Sequence, residues 1–219
     1  MNFNKRFKIN YQRLLTFAHI EIDESMDTEK IKSYIETVIS LSDQEWEILS
    51  THIEYKIVRK NEYLLNEGVI CNFIAFINKG VLIYCKELEN GNDMTTDMAF
   101  EGEWVTDNYS RLKRLPSHLN IKAIEDCELW IIKEKDLPYL YQEIPSLEHF
   151  GRILTEQAFI KMTQMSIDLQ TLSAKERYIK LFRNYPEIFQ RIPLHYIANY
   201  LGIAPKSLSR IRNTIFKKE

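Results

Sequence analysis

Four glycines constrain this chain more than any other feature. Gly68, Gly80, Gly91 and Gly102 fall 12, 11 and 11 residues apart, and the stretches between them are short and rich in β-branched and aromatic residues. Turn signals at that interval describe an antiparallel sandwich or barrel. The predicted strands are Tyr55–Arg59, Phe73–Asn78, Val81–Cys85, Met94–Phe100, His118–Ile124 and Glu128–Ile132. Asn90-Gly91 is the strongest hairpin turn among them, because glycine tolerates the positive φ that the turn requires.

On either side of this region the apolar period is helical. Ile31, Ile35, Val38 and Ile39 recur at helical spacing, and Ser42 with Glu45 three residues later forms a capping box ahead of Trp46 and Leu49. After Asp136-Leu137-Pro138, the residues Leu147, Phe150, Leu154, Ala158, Met162, Met165, Leu169 and Leu172 are separated by 3, 4, 4, 4, 3, 4 and 3 positions. On one helix that stripe runs ~38 Å, longer than a small barrel covers. A helix packed wholly on its own barrel is the alternative. The length favours a seam with a second copy of the chain through Leu147, Phe150, Leu154, Ala158, Met162, Met165 and Leu169.

Composition narrows the class. With 219 residues, 45% of them hydrophobic and only 6 Gly and 6 Pro, disorder and low complexity are excluded. Apolar runs such as Ile74-Ala75-Phe76-Ile77 fall far short of the ~20 residues of a membrane span. Met1 to Asn10 is polar and basic, unlike a signal peptide, so a cytoplasmic protein with no membrane partner is expected. Cys71, Cys85 and Cys127 lie far apart among apolar neighbours and read as small core residues, with no disulfide or metal site. No nucleophile elbow, metal-spaced His/Glu set or phosphate-binding Gly loop points to an enzyme.

Charge is divided unevenly. Residues 173–219 carry ten Lys and Arg against three Glu, a net +7, which leaves −9 for residues 1–172 of the overall −2. An acidic body with a basic tail is expected where only the tail meets a polyanion; a helical tail rich in surface cations is the plainer alternative. Within that tail Ser173 and Glu176 form a second capping box, Tyr185-Pro186 is a stop, and Pro193 opens a helix with Ile197, Ala198 and Leu201 facing inward. Gly202 closes it, Ile203 is a buried turn residue, and Pro205 starts a third helix. Ala198 is small enough for two helices to cross steeply there. Leu208 and Ile211 hold the third helix while Lys206, Ser207, Ser209, Arg210 and Arg212 point outward. This is the pattern of a helix-turn-helix. Arg210 suits bidentate contact to a guanine edge, and Lys206 and Ser207 suit bases or phosphates. For Arg212, Lys217 and Lys218, cations near a helix C-terminus suffice as an explanation.

The glycine-spaced barrel, long helix and terminal helix-turn-helix together resemble the CRP/FNR superfamily of bacterial transcription regulators over about Leu41 to Phe216. The resemblance rests on Leu65-Asn66-Glu67-Gly68, Phe76-Ile77-Asn78-Lys79-Gly80, Glu101-Gly102-Glu103-Trp104 and, most specifically, Ile197-Ala198-Asn199-Tyr200-Leu201-Gly202-Ile203-Ala204-Pro205-Lys206-Ser207-Leu208-Ser209-Arg210-Ile211. It implies an α+β protein: an antiparallel cyclic-nucleotide-binding-type jelly roll over 41–137, a dimerisation helix over 138–172 and a DNA-binding domain over 173–219, preceded by a helical extension over 1–40. The implied partners are double-stranded DNA with a two-half-site operator, a second copy of the chain, RNA polymerase and a small effector of undetermined identity. The rival reading is a ligand-sensing or protein-interaction module whose degenerate helix-turn-helix serves packing alone.

The resemblance also shows where the chain departs from the family. Members that bind cyclic AMP present a Gly-Glu pair that meets the ribose and an Arg-Ser pair that neutralises the cyclic phosphate. Here those pairs fall on Thr106-Asp107 and about Ser117-His118. Asp107 keeps a ribose acceptor, but no arginine stands at the phosphate position, a loss of ~1.5–3 kcal/mol or more, so cyclic AMP is not expected. Arg111, Lys113 and Arg114 read as a solvated basic loop. No cysteine precedes Cys71 to supply an iron–sulfur cluster, and His19, His52, His118, His149 and His195 carry no haem signature. Family members add a two-stranded wing after the third helix, which this chain stops short of, so phosphate contacts and salt are expected to weigh heavily in its DNA affinity.

Overall fold

The computed structural model describes residues 28–88 and 93–216. Two short helices, α1 (Glu29–Glu36) and α2 (Asp43–Ser50), precede eight strands: β1 (Ile53–Val58), β2 (Tyr63–Leu65), β3 (Phe73–Lys79), β4 (Leu82–Glu87), β5 (Asp93–Ala99), β6 (Trp104–Val105), β7 (Asn120–Ala123) and β8 (Cys127–Lys133). Helix α3 (Asn108–Lys113) interrupts them between β6 and β7. There follow α4 (Leu137–Glu143), the long α5 (Ser146–Thr171), then α6 (Ala174–Asn184), α7 (Ile188–Arg191), α8 (Leu194–Tyr200) and α9 (Pro205–Phe216). Among the described residues no helix is long and apolar enough to cross a membrane.

The strands form two four-stranded antiparallel sheets, ordered β1-β8-β3-β6 and β2-β7-β4-β5, which face each other as a jelly roll. Side chains alternate between the inside of the roll and its outer faces. On β3, Phe73, Ala75 and Ile77 enter the interior with Cys127, Leu129 and Ile131 of β8. Phe76, Trp130 and Ile132 point the other way into a cluster with α1, α2, α4 and the start of α5. Because both faces are covered, β3 and β8 read as continuous apolar runs instead of alternating ones. On β4 the split repeats: Leu82 faces the interior, while Ile83 and Cys85 face the C-terminal helices. All three cysteines are buried thiols outside any disulfide.

Gly80 is the tightest point of the roll. It adopts φ 102°, and a Cβ there would sit 2.6 Å from the Cys127 sulfur, so the β3–β4 turn closes onto β8 only without a side chain. Both capping boxes form: Ser42 and Ser173 each accept from the backbone N–H three residues on, and Glu45 and Glu176 reach back to them. The expected strands appear within about three residues of their bounds, but β2, β6 and α3 were not anticipated. The supposed loop holding Arg111 is a helix. The Asn90-Gly91 turn lies outside the described residues, as do Lys217, Lys218 and most of the 1–40 extension.

Candidate nucleic-acid interface

The C-terminal unit is assembled from α8 and α9. Tyr196, Ile197 and Ala198 of α8 are buried, and Ala198 and Leu201 leave room for α9 to cross against Leu208, which has no exposed surface. The chain reverses at Gly202 in the left-handed region, φ 66°, where the Ile203 N–H donates to the Ala198 carbonyl at 3.0 Å. That closes the helix end and satisfies its last carbonyls. Arg177 of α6 binds from beneath: its Nε and a terminal nitrogen donate to the Leu201 carbonyl at 3.1 and 2.8 Å, and another to the Leu172 carbonyl at 2.6 Å. One side chain thus ties the end of α8 to the end of α5.

On α9, Leu208 is buried and Ile211 and Ile215 pack partly against the same core, while Lys206, Ser209, Arg210 and Asn213 are exposed. Ser207 is half-buried, and the Ser209 hydroxyl donates back to the Pro205 carbonyl at 3.1 Å. Arg212 departs from the outward face expected of it. It is half-buried, with its guanidinium over the Phe189 ring at 5.6 Å and beside the Tyr178 phenol, because at the position after Ile211 it turns back toward the core. The described cations of the basic tail are therefore two populations: Arg177, Lys180, Arg191 and Arg212 are engaged inside the molecule, whereas Lys175 and Arg183 of α6 and Lys206 and Arg210 of α9 are exposed.

The unit is docked on the roll. Tyr178, Leu181, Ile188, Ile197 and Leu201 share one core with Val81, Ile83, Met98 and Ile124 of the outer sheet face. Polar groups rim that core. Arg191 donates to both Glu101 oxygens at 2.9 and 2.5 Å and also pairs with Glu125, which raises its pKa. Burial opposes ionisation of Glu101, but Arg191 and the Gly80 N–H hold its carboxyl below the ordinary range. Tyr185 stacks on Phe100 at 4.5 Å and donates to Glu103 at 3.2 Å. Burial pushes the Glu103 carboxyl up, opposed by Lys161, and pushes the Tyr185 phenol up to about 12. Lys161 of α5 pairs with Asp97 at 3.0 Å.

Helix α5 is used unevenly. Leu147 and Phe150 are buried in the chain's own core and Leu154 packs on the same cluster. Ala158 and Met165 are half-buried, and Met162 and Leu169 are 72% and 44% exposed, alongside Phe159 at 70% and Ile160 at 65%. A groove of about 990 Å³, lined by Leu112, Leu137, Leu154, Phe159 and Ile160 among others, runs along this helix. Leu172 of the expected stripe lies beyond the helix, extended at ψ 142°.

The four roll residues considered for an effector are all engaged locally. The Asp107 carboxylate caps α3 by accepting from the Ser110 N–H at 3.2 Å. The Thr106 hydroxyl donates to the Phe73 carbonyl at 2.8 Å, and its backbone is bracketed by the Tyr84 hydroxyl. Ser117 is buried and donates to the Leu119 carbonyl at 2.8 Å; His118 is exposed beside the Tyr109 ring at 5.2 Å. Nor is Arg111 a solvated cation: its side chain is 10% exposed and paired with Glu134 at 2.7 Å and Asn108 at 3.1 Å. The residues present do not fit a cyclic nucleotide phosphate. Among the described residues no three His, Cys, Asp or Glu side chains gather as a metal site.

Residues 55–143, most of the roll and the first helix after it, match the cyclic nucleotide-binding domain. No curated protein matches the chain in sequence. In structure it is similar to FixK2 from Bradyrhizobium japonicum, with TM-score 0.64 and 16% identity over 76% of this chain and 85% of that one. It is also similar to CLP, the c-di-GMP responsive global regulator of Xanthomonas campestris, with TM-score 0.62 and 13% identity over 81% of this chain and 93% of that one. A putative transcriptional regulator of the CRP/FNR family from Eubacterium rectale gives 0.62 and 17% over 81% and 85%. The chain shares its fold with these three structures over about three quarters or more of its length.

Proposed function

We propose that the protein is a homodimeric DNA-binding transcription regulator of the CRP/FNR type that reads an inverted repeat through α9. One observation supports the reading most directly. Leu208, Ile211 and Ile215 anchor α9, and on its free side Lys206 and Arg210 stand exposed, while four other cations of the tail are engaged internally. A helix retained for packing alone has no need of that basic outer side, which weighs against the rival protein-interaction module. In this reading Arg210 takes a guanine edge and Lys206, Ser207 and Ser209 take neighbouring bases or phosphates; Arg212 does not take part.

The second copy covers the distal half of α5. Phe159, Ile160, Met162 and Leu169 line one side of the α5 groove or continue its apolar surface, and a twofold pairing lets each helix fill the groove of the other. The two α9 helices then enter successive major grooves ~34 Å apart. RNA polymerase is the further partner such a regulator requires. The roll is a sensor for a signal other than cyclic AMP, since the phosphate position holds no arginine and its polar groups serve the protein's own backbone; no enzymatic step, iron–sulfur cluster or haem belongs to the reading. Selection of sites from random duplex DNA at ~100 mM salt tests it. An enriched inverted repeat that blurs at one base pair per half-site in Arg210→Ala, at a cost of ~1–3 kcal/mol, is the expected result. Absence of any enriched sequence overturns it.

A further inference from the structure

We infer that Asn213 is a specificity-determining residue of α9, reading an adenine beside the guanine taken by Arg210; this rests on the DNA-reading proposal above. At about 100° per residue, Leu208, Ile211 and Ile215 mark the side of α9 turned to the core. The line opposite them passes between Asn213, Lys206 and Arg210, which fall within about 60° of one another and are all exposed. Ser207 and Arg212 lie on the flanks, where the first is half-buried and the second turns onto Phe189. The remaining exposed hydroxyls spend their one proton on the helix and keep only lone pairs for a base: Ser209 donates to the Pro205 carbonyl at 3.1 Å and Thr214 to the Arg210 carbonyl at 2.9 Å. Among the described residues, Lys206, Arg210 and Asn213 have no such commitment.

Chemistry assigns the base. A carboxamide carries one acceptor and one donor side by side, matching the N6 amino group and N7 of adenine in the major groove, whereas the arginine fork matches guanine O6 and N7. Three residues separate Asn213 from Arg210, a rise of about 4.5 Å along the axis, close to one base-pair step of ~3.4 Å. Lys206 and Asn213 are about 10.5 Å apart along the axis, so the exposed line addresses about three consecutive base pairs. Charge alone draws attention to Lys206 and Arg210, and the neutral residue beside Lys206 in projection passes unnoticed.

The test compares sites selected by the wild type, Arg210→Ala and Asn213→Ala. An A·T pair within two steps of the arginine-dependent G·C, lost from the consensus only in Asn213→Ala, is the expected result. Equilibrium titration of the wild-type consensus carrying 7-deazaadenine at that position then isolates the contact. Wild-type binding weakens about fivefold or more, Asn213→Ala shows no further loss, and the salt dependence of both stays parallel. Asn213 is exposed, so the variant keeps its fold, which an unchanged unfolding midpoint verifies. If Arg210→Ala blurs a base and Asn213→Ala blurs none, or if Asn213→Ala weakens all sequences equally with a shallower salt slope, the inference is overturned while the regulator reading stands. If the wild type enriches nothing, both fall.

Discussion

The outer face of the β1-β8-β3-β6 sheet is closed by α1, α2, α4 and the start of α5, and the outer face of β2-β7-β4-β5 by α6 to α9. The first closure is centred on apolar and aromatic side chains, with Lys30 donating to the Asn78 carbonyl at 3.4 Å. Tyr34, Phe76, Trp104 and Phe150 meet with ring centroids 5.4–6.3 Å apart. The second has an apolar centre with an ionic rim: Arg191 on Glu101 and Glu125, Lys161 on Asp97, Tyr185 on Glu103. Apolar contact is nondirectional and supplies most of the stabilisation, whereas charge pairs and hydrogen bonds fix orientation. The first closure therefore holds the roll together, and the second also sets how α8 and α9 are presented.

The sharpest way to break that distinction is Phe76→Ala. Phe76 is 2% exposed and its removal leaves a large cavity, so a loss of about 3–5 kcal/mol is expected in urea unfolding of the whole protein. Leu208→Ala, on the other side, should cost about 2–5 kcal/mol, toward the low end because α9 can settle into the space. It should also abolish selective DNA binding, which Phe76→Ala in the residual folded fraction should not. If Phe76→Ala impaired base selection as much as Leu208→Ala did, the two closures would not be separable in role.

A third change leaves both closures intact. Met162 is 72% exposed and touches neither core. In the proposed dimer Met162→Glu places like charges against each other across the seam, and sedimentation should show dissociation of that dimer rising about tenfold or more. The unfolding midpoint measured on dilute monomer should stay within ±0.5 kcal/mol of the wild type.

What could be read from the chain beforehand follows from the same contrast. Strands β3 and β8 were legible because both their faces are buried, and α5 because a 3.6-residue period persists over 26 residues. Strand β6 has two residues and α3 six, too few for any period to declare itself. The stripe along α5 showed an apolar face but not its partner: Leu147 and Phe150 belong to the chain's own core and Met162 to its surface. Charges were the least legible. Nothing local distinguishes Arg191, whose partner Glu101 lies 90 residues earlier in the chain, from Arg210, which has none within reach among the described residues. Asn213 was passed over for the opposite reason, being uncharged on a face judged by charge.

The smallest expected effect concerns the ionic rim itself. Glu101 and Arg191 are about one-third and one-quarter exposed, so solvent screening keeps their net contribution to about 1 kcal/mol, and Arg191→Met should cost that at pH 7. The sign with pH follows from the carboxyl. Glu101 titrates below its ordinary value of 4.5 in the folded protein, so the stabilisation is present above that value and is lost as pH falls through the depressed one. The wild type should therefore lose its advantage over Arg191→Met as the solution is acidified, the two unfolding curves converging as pH falls through the depressed Glu101 value. Glu103 works in the other sense. Burial raises its pKa, so the fold favours the neutral acid and is weakened as pH rises through the raised value. Glu103→Gln should accordingly remove that loss and gain slightly at pH 7. A wild-type advantage that stayed constant from pH 7 to pH 3 would mean that Arg191 acts by the packing of its stem, and the rim would then not set the orientation of α8 and α9 through charge.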